Sequence, residues 1–173
     1  SVNLPSLVKS GFTGPIYATS ATRDLDGYML LDSAHIQESD VAYVNKRRAK
    51  KGKQLFEPLY TRREAMDPLT HFSTVEYGRP FEPVPGVQVH FRDAGHILGS
   101  AMSLLRFYSD GKSKNVLYTG DIGRFDKPII NDPWTSFEES DKEIDLLIME
   151  STYGNREHGP VNNLKQQLAG ILN

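Results

Sequence analysis

His96, Asp121 and Glu150 are the side chains of this sequence whose types and positions point to shared chemistry. Each follows a strand-like segment and sits beside glycine or small residues: His96 in "DAGHILGSA", Asp121 in "YTGDIGR" and Glu150 in "IMESTYG". Strand ends in layered α/β folds converge on one edge, where ligand and metal sites form. An imidazole with carboxylates and no thiolate is the donor set of hydrolytic zinc, manganese or iron. The sequence contains no cysteine, which excludes both disulfides and thiolate ligation. Each residue also has a plainer role open to it. An aspartate after a strand commonly caps a turn, and a histidine between glycines can pack against a wall or a phosphate. Gly95 and Gly99 give that loop the backbone freedom to hold an imidazole close to something else.

The elements that must position these groups follow from the pattern around them. A chain of 173 residues, 38% hydrophobic and 24% charged, suits one soluble globular domain with a real core. No apolar run is long enough to span a bilayer, and no signal peptide opens the sequence. The absence of cysteine suits a reducing, cytoplasmic setting. With a net charge of −2, a nucleic-acid partner would need a local basic patch. Leu4, Leu7 and Val8 predict a first helix ended by Gly11, and Ile16-Tyr17-Ala18 reads as a strand. Ser20 is the expected N-cap of a second helix burying Ala21, Leu25, Tyr28 and Met29. A third helix is expected from near Ser39, carrying Val41, Tyr43 and Val44 into "NKRRAKKGK", with Asn45 and Gly52 marking its ends. Residues 54 to 72 read as loop plus one short helix.

Beyond residue 74 the period changes to that of strands. Val87, Val89 and Phe91 alternate with polar residues, and "AMSLLRFYSDGKSKNVLYTGD" reads as a hairpin turning at Asp110-Gly111. A proline-containing loop with Trp134 follows. "IDLLIMESTYG" then predicts a strand covered on both faces. Leu164, Leu168, Ile171 and Leu172 predict an amphipathic helix at the end.

The segments "DAGHILGSA", "YTGDIGR" and "ESTYGNREH" resemble three signatures of the metallo-β-lactamase superfamily, in its β-CASP branch of RNA-processing nucleases. "LPSLVKSGFTGPIYAT" and "LLDSAHIQESDVAYVNKRRAKKG" with "EPLYT" resemble the same branch, so the likeness covers nearly the whole chain. It implies an α/β fold, part of the αββα sandwich of a metallo-β-lactamase domain, namely its second half. It implies that His96 is a ligand of one metal and Asp121 the carboxylate bridging two. Glu150 matches the acidic residue that supports a histidine acting as general acid toward the leaving oxygen, and is the expected catalytic residue. The implied cofactor is zinc, two ions per complete active site, and the implied partner is single-stranded RNA.

The branch's first metal motif, His-x-His-x-Asp-His, is absent; in relatives it lies just upstream of a leucine-proline like Leu4-Pro5. The expectation is a middle piece of a longer nuclease. Residues 1–158 would be the partial metallo-β-lactamase domain, and 159–173 the start of the cap. Unpaired edges would favour homo-oligomer formation or other self-association. Two rival readings are a catalytically inactive scaffold subunit of an RNA-processing complex and a hydrolase of thioesters or lactams. "ESTYG" argues against the latter, and the presence of His96 and Asp121 argues against the former. His35 reads as a packing or hydrogen-bonded residue, and His71 and His90 as structural or surface residues. His158 is either RNA-facing or part of a solvated turn. Lys46, Arg47, Arg48, Lys50, Lys51 and Lys53 could track RNA phosphates, but so polar a helix reads first as a solvated face.

Overall fold

The computed structural model describes residues 2–155 and 164–172. The fold is mixed α/β, with a helical layer on a two-stranded parallel sheet and a separate five-stranded sheet. Helix α1 (Leu4–Lys9) starts with Pro5 in its first turn, where a missing N–H costs nothing, and Gly11 at φ +100° lets the chain turn away. Strand β1 (Ile16–Ala18) pairs in parallel with β2 (Phe72–Thr74), a short strand that starts where the expected loop region ends. Between them run α2 (Ser20–Ala49) and a 3-10 helix (Glu64–His71).

Helix α2 departs from expectation in four ways. Its N-cap is Thr19, whose Oγ1 accepts from the Thr22 amide at 3.2 Å, and Ser20 is the first helical residue. It is one helix of 30 residues, with no break near Ser39, because no glycine or proline occurs between Gly27 and Gly52. Its buried row is Asp26, Leu30 and Ala34, while Tyr28 is 78% exposed and Leu25 and Met29 also face outward. The small side chains decide this. Ala34 and Gly27 let the helix approach Tyr60, Ala65 and Leu69 closely, which the bulkier row would prevent. Asn45 does not end the helix. Its side-chain amide pairs with both backbone groups of Phe56, at 2.8 and 2.9 Å, and folds the following chain back along α2.

The larger sheet has the order β3-β4-β5-β6-β7, comprising Phe81–Val84, Val87–Asp93, Ala101–Ser109, Lys112–Tyr118 and Leu146–Ile148. The first four are antiparallel neighbours, and β7 joins β6 in parallel. Asp110 and Gly111 turn the hairpin with φ of 52° and 72°, the two positive values that a tight type I′ turn requires. Val89 and Phe91 are buried as their alternation predicts. Ala94, Met102, Leu104 and Leu117 form the core on this sheet, covered by Trp134, Phe137 and Ile144 from the proline-containing loop. Beside them the buried Asp141, in the short helix α3 (Glu139–Lys142), accepts from Arg92 at 3.3 Å and Arg106 at 3.1 Å. Arg92 also stacks on Trp134, 4.3 Å from its ring centre, so this ionic cluster pins the loop to β4 and β5. Tyr17, Phe81 and Phe91 bridge the two sheets, their successive ring centres 4.7 and 5.2 Å apart.

Strand β7 corrects one expectation. Leu146, Leu147, Ile148 and Met149 are 46–59% exposed, because β7 is the edge of the sheet and, among the described residues, no further layer covers its faces. Helix α4 (Leu164–Leu172) forms as expected, yet Leu168, Ile171 and Leu172 remain exposed. The boundary expected at 158/159 lies outside the described residues.

Asp145 ties the entry of β7 to β6: its carboxylate takes the Lys114 ammonium and, at 2.8 Å, the Asn115 amide. The Lys114 and Asn115 bonds hold its carboxyl below the usual carboxylate range. Stability from this pair is therefore complete above that range and lost as pH falls through the depressed native value. Asp145→Asn should flatten the acid limb of a stability-versus-pH curve measured by urea unfolding. An unchanged acid limb would show that the pair does not support the fold.

Candidate functional site

His96 sits in the loop between β4 and β5, and every turn of that loop is tied down. Asp93 accepts the Gly95 amide at 2.8 Å. The Ser100 hydroxyl accepts both the His96 and Ile97 amides at 3.2 Å and donates to the Ile97 carbonyl at 2.9 Å, closing a compact ring beneath the imidazole. Gly99, at φ +88°, presents its carbonyl to the Thr19 and Thr22 hydroxyls at 2.8 and 2.9 Å. A Cβ on Gly99 would lie 2.7 Å from the Thr22 amide nitrogen, so the loop and the start of α2 meet backbone to backbone. Tyr77 donates to the Ser100 carbonyl at 2.8 Å. Burial, with the Asp93 charge second, pushes its hydroxyl up to about 12, so it remains a proton donor at neutral pH.

Asp121 arrives from the end of β6. The parallel pairing continues past the strand, where the Thr119 amide donates to the Ile148 carbonyl at 3.0 Å, and Gly120 turns at φ +55°. The Gly123 amide then donates to the Ala94 carbonyl at 2.8 Å. A Cβ on Gly123 would fall 1.6 Å from the Gly95 oxygen and 2.6 Å from the His96 nitrogen. Only glycine fits there, and this contact draws the Asp121 loop beside His96.

Glu150 follows β7. Its Oε1 accepts the Ile122 amide at 2.7 Å. That amide first, then the Thr152 hydroxyl, with a smaller contribution from the charge of His96, holds its carboxyl below the usual range. Glu150 is therefore an ionised group that braces the peptide next to Asp121.

The three residues meet at the ends of β4, β6 and β7, in an open concavity of about 270 Å³ rimmed also by Arg124, Lys127 and Tyr153. His96 Nε2 and Asp121 Oδ2 stand 4.0 Å apart, with side chains 41% and 70% exposed. That separation is too long for a direct hydrogen bond. A larger concavity of about 690 Å³ lies beside Thr19, Tyr77 and Arg79 and contains none of the three. Among the described residues no group of three or more His, Asp or Glu side chains is placed to hold a metal ion.

The other described histidines stay apart from this site. His71 Nδ1 lies 3.2 Å from the Gly14 carbonyl and its ring faces Phe12, a structural role. His90 contacts Gln88 at 3.1 Å, and burial, then the Arg92 charge, lowers its pKa. His35 is exposed on α2, so the expectation that it packs is corrected: it lies off the Asp26–Leu30–Ala34 row. His158 lies outside the described residues. Sequence reasoning missed Gly123, the Ile122 amide, Arg124 and Lys127. The second glycine of "TGDIG" was the available signal for the first of these.

No family model matches the chain. Individual proteins do. The chain is 28% identical over 169 residues to Ribonuclease TTHA0252 of Thermus thermophilus, covering 98% of this chain and 33% of that protein. It is 33% identical over 156 residues to Transcription termination factor FttA of Methanothermobacter thermautotrophicus, covering 89% of this chain and 21% of that one. The factor of the same name from Methanosarcina mazei is 34% identical over 152 residues, with coverages of 88% and 21%. The chain resembles a ribonuclease and transcription termination factors. The likeness runs through most of this sequence, while the chain spans 21% to 33% of the length of these relatives.

If the Gly95–Gly123 contact sets the site, Gly123→Ala should cost about 2 kcal/mol or more, as overpacking at a rigid backbone does. Chemical denaturation reads the cost, and amide shifts at His96 and Ile122 should report displaced loops. A variant with native stability and unmoved amides would show that the contact is not needed.

Proposed function

We propose that this chain is part of a metal-dependent RNA nuclease, of the β-CASP branch of the metallo-β-lactamase superfamily, that hydrolyses phosphodiester bonds. The observation that supports this most is the meeting of His96, Asp121 and Glu150 at three strand ends, beside two cationic side chains. The names of the relatives, a ribonuclease and transcription termination factors, point to the same substrate class.

The donor chemistry suits zinc in part. His96 and Asp121 turn an imidazole nitrogen and a carboxylate oxygen toward one space without bonding each other, and would hold the metal there. Glu150 accepts the Ile122 amide, and we assign it a bracing role and not that of a third ligand. A complete zinc site takes three or four protein ligands; we assign the rest to a longer protein carrying the missing His-x-His-x-Asp-His motif. A bound pair of ions supplies an activated water and neutralises charge on the phosphodiester. Asp121 would offer its exposed carboxylate to that pair. Arg124 and Lys127 place positive charge on the rim where phosphate oxygens would lie. Glu150 stays ionised and holds the Ile122 peptide, and through it the neighbouring Asp121, in position.

Elemental analysis after dialysis tests the ligand count. The isolated chain should retain no stoichiometric zinc, whereas the longer protein should hold about two ions and cleave RNA. In that protein Asp121→Ala should abolish turnover and His96→Ala should lower the zinc content. RNA cleavage by Asp121→Ala at the parent rate would refute the mechanism. About one zinc per isolated chain, lost on His96→Ala, would refute the ligand assignment.

A further inference from the structure

The end of α2 carries a dense run of charge of one sign. Between Asp40 and Glu57 there is no carboxylate and there are six cations: Lys46, Arg47, Arg48, Lys50, Lys51 and Lys53, in a chain whose net charge is −2. Lys46, Arg47, Lys50, Lys51 and Lys53 are exposed and take part in no ion pair among the described residues.

Helix stability does not account for this run. Basic side chains in a last turn complement the helix dipole. Here, however, Lys46 and the C-cap Lys50 are like charges at i and i+4, a spacing that destabilises a helix. None of Lys46, Arg47, Lys50 and Lys51 has a carboxylate three or four positions away. The cost calls for a counter-charge from outside.

The patch is also shaped. At 3.6 residues per turn, Lys46, Arg47, Lys50 and Tyr43 lie within about 100° of one another on one face of α2. Tyr43 is 61% exposed at the middle of that arc, and the Arg47 guanidinium sits 5.5 Å from its ring centre. The chain after the helix is folded back against it. Arg48 donates to the Gln54 carbonyl at 2.6 Å and stacks 3.9 Å from the Phe56 ring centre, while Asn45 clamps the Phe56 backbone. Lys51 and Lys53 are thereby held beside the helical lysines. Spaced cations with an exposed, arginine-backed aromatic are the features that bind a single strand: phosphates on the cations, a base on the ring.

We propose that Lys46, Arg47, Lys50, Lys51 and Lys53, with Tyr43, form a second RNA-backbone surface. It lies about 40 Å along α2 from the Thr22 contact with the His96 loop. Such a surface grips a long single strand remote from the point of cleavage and adds no sequence preference. It rests on the reading that RNA is the substrate, and it leaves the His96–Asp121 site untouched.

The test is fluorescence anisotropy of the 173-residue chain with labelled oligouridine across a salt series. Binding should be weak and steeply salt-dependent. Lys46→Gln, Lys50→Gln and Lys51→Gln together should reduce the log–log salt slope by about 2, three contacts at ~0.7 each on a single strand. Tyr43→Ala should weaken binding several-fold with the slope unchanged. Far-ultraviolet circular dichroism checks that the exposed substitutions leave the fold intact. RNA binding whose slope the triple variant does not alter would overturn the inference while leaving the RNA reading standing. No salt-dependent RNA binding by the parent chain would overturn it too, as would patch-dependent binding only to vesicles of equimolar phosphatidylcholine and phosphatidylserine. The RNA reading itself fails separately, through absence of cleavage by the longer protein.

Discussion

The candidate site depends on one close approach of two backbones. Gly123 lies so near the Gly95–His96 peptide that a side chain there would meet the Gly95 oxygen at 1.6 Å. Through this contact and the Gly123–Ala94 hydrogen bond, the loop after β6 is registered against the loop after β4. His96 and Asp121 face each other because these peptides stack. The Asp121 side chain is largely open to solvent and the His96 side chain half-buried, so packing alone does not place them. The geometry therefore lives in the main chain, which is a rigid way to present two donors to a ligand.

The rest of the structure serves that contact from two sides. From the helical half, Thr19 and Thr22 hold the Gly99 carbonyl, so α2 anchors the far end of the His96 loop. From the sheet, the Arg92–Asp141–Arg106 cluster and Trp134 fix the long loop that returns from Asp121 to β7. Asn131 and Pro133 of that loop then press against Gly95. Glu150 closes the arrangement from β7 by holding the Ile122 amide. Elements distant in sequence thus converge on a few peptides, which makes loop position sensitive to small backbone changes.

Much of this was legible in the residues, for reasons that can be named. Alternation at Val87, Val89 and Phe91 and the Asp110-Gly111 turn fixed β4 to β6, because local sterics and one-sided burial decide them. The three polar groups after strands were legible because strand ends share an edge. The row that α2 buries was not: Ala34 and Gly27 win it by allowing close approach, and hydrophobicity alone favoured Leu25, Tyr28 and Met29. The exposure of Leu146 to Met149 was hidden as well, since an apolar run reads the same on a central strand and at an edge. The role of Gly123 lies in a contact across 28 residues of chain, from Gly95, that no local pattern announces.

The central claim is that His96 and Asp121 present one shared cation-binding space, held by the Gly95–Gly123 contact. Titrating the isotope-labelled chain with Mn²⁺ and recording amide line broadening tests it most directly. Broadening should be weak and centred on His96, Asp121 and Gly123, and Gly123→Ala should disperse it. Broadening centred on other acidic residues, or undiminished in Gly123→Ala, would contradict the account.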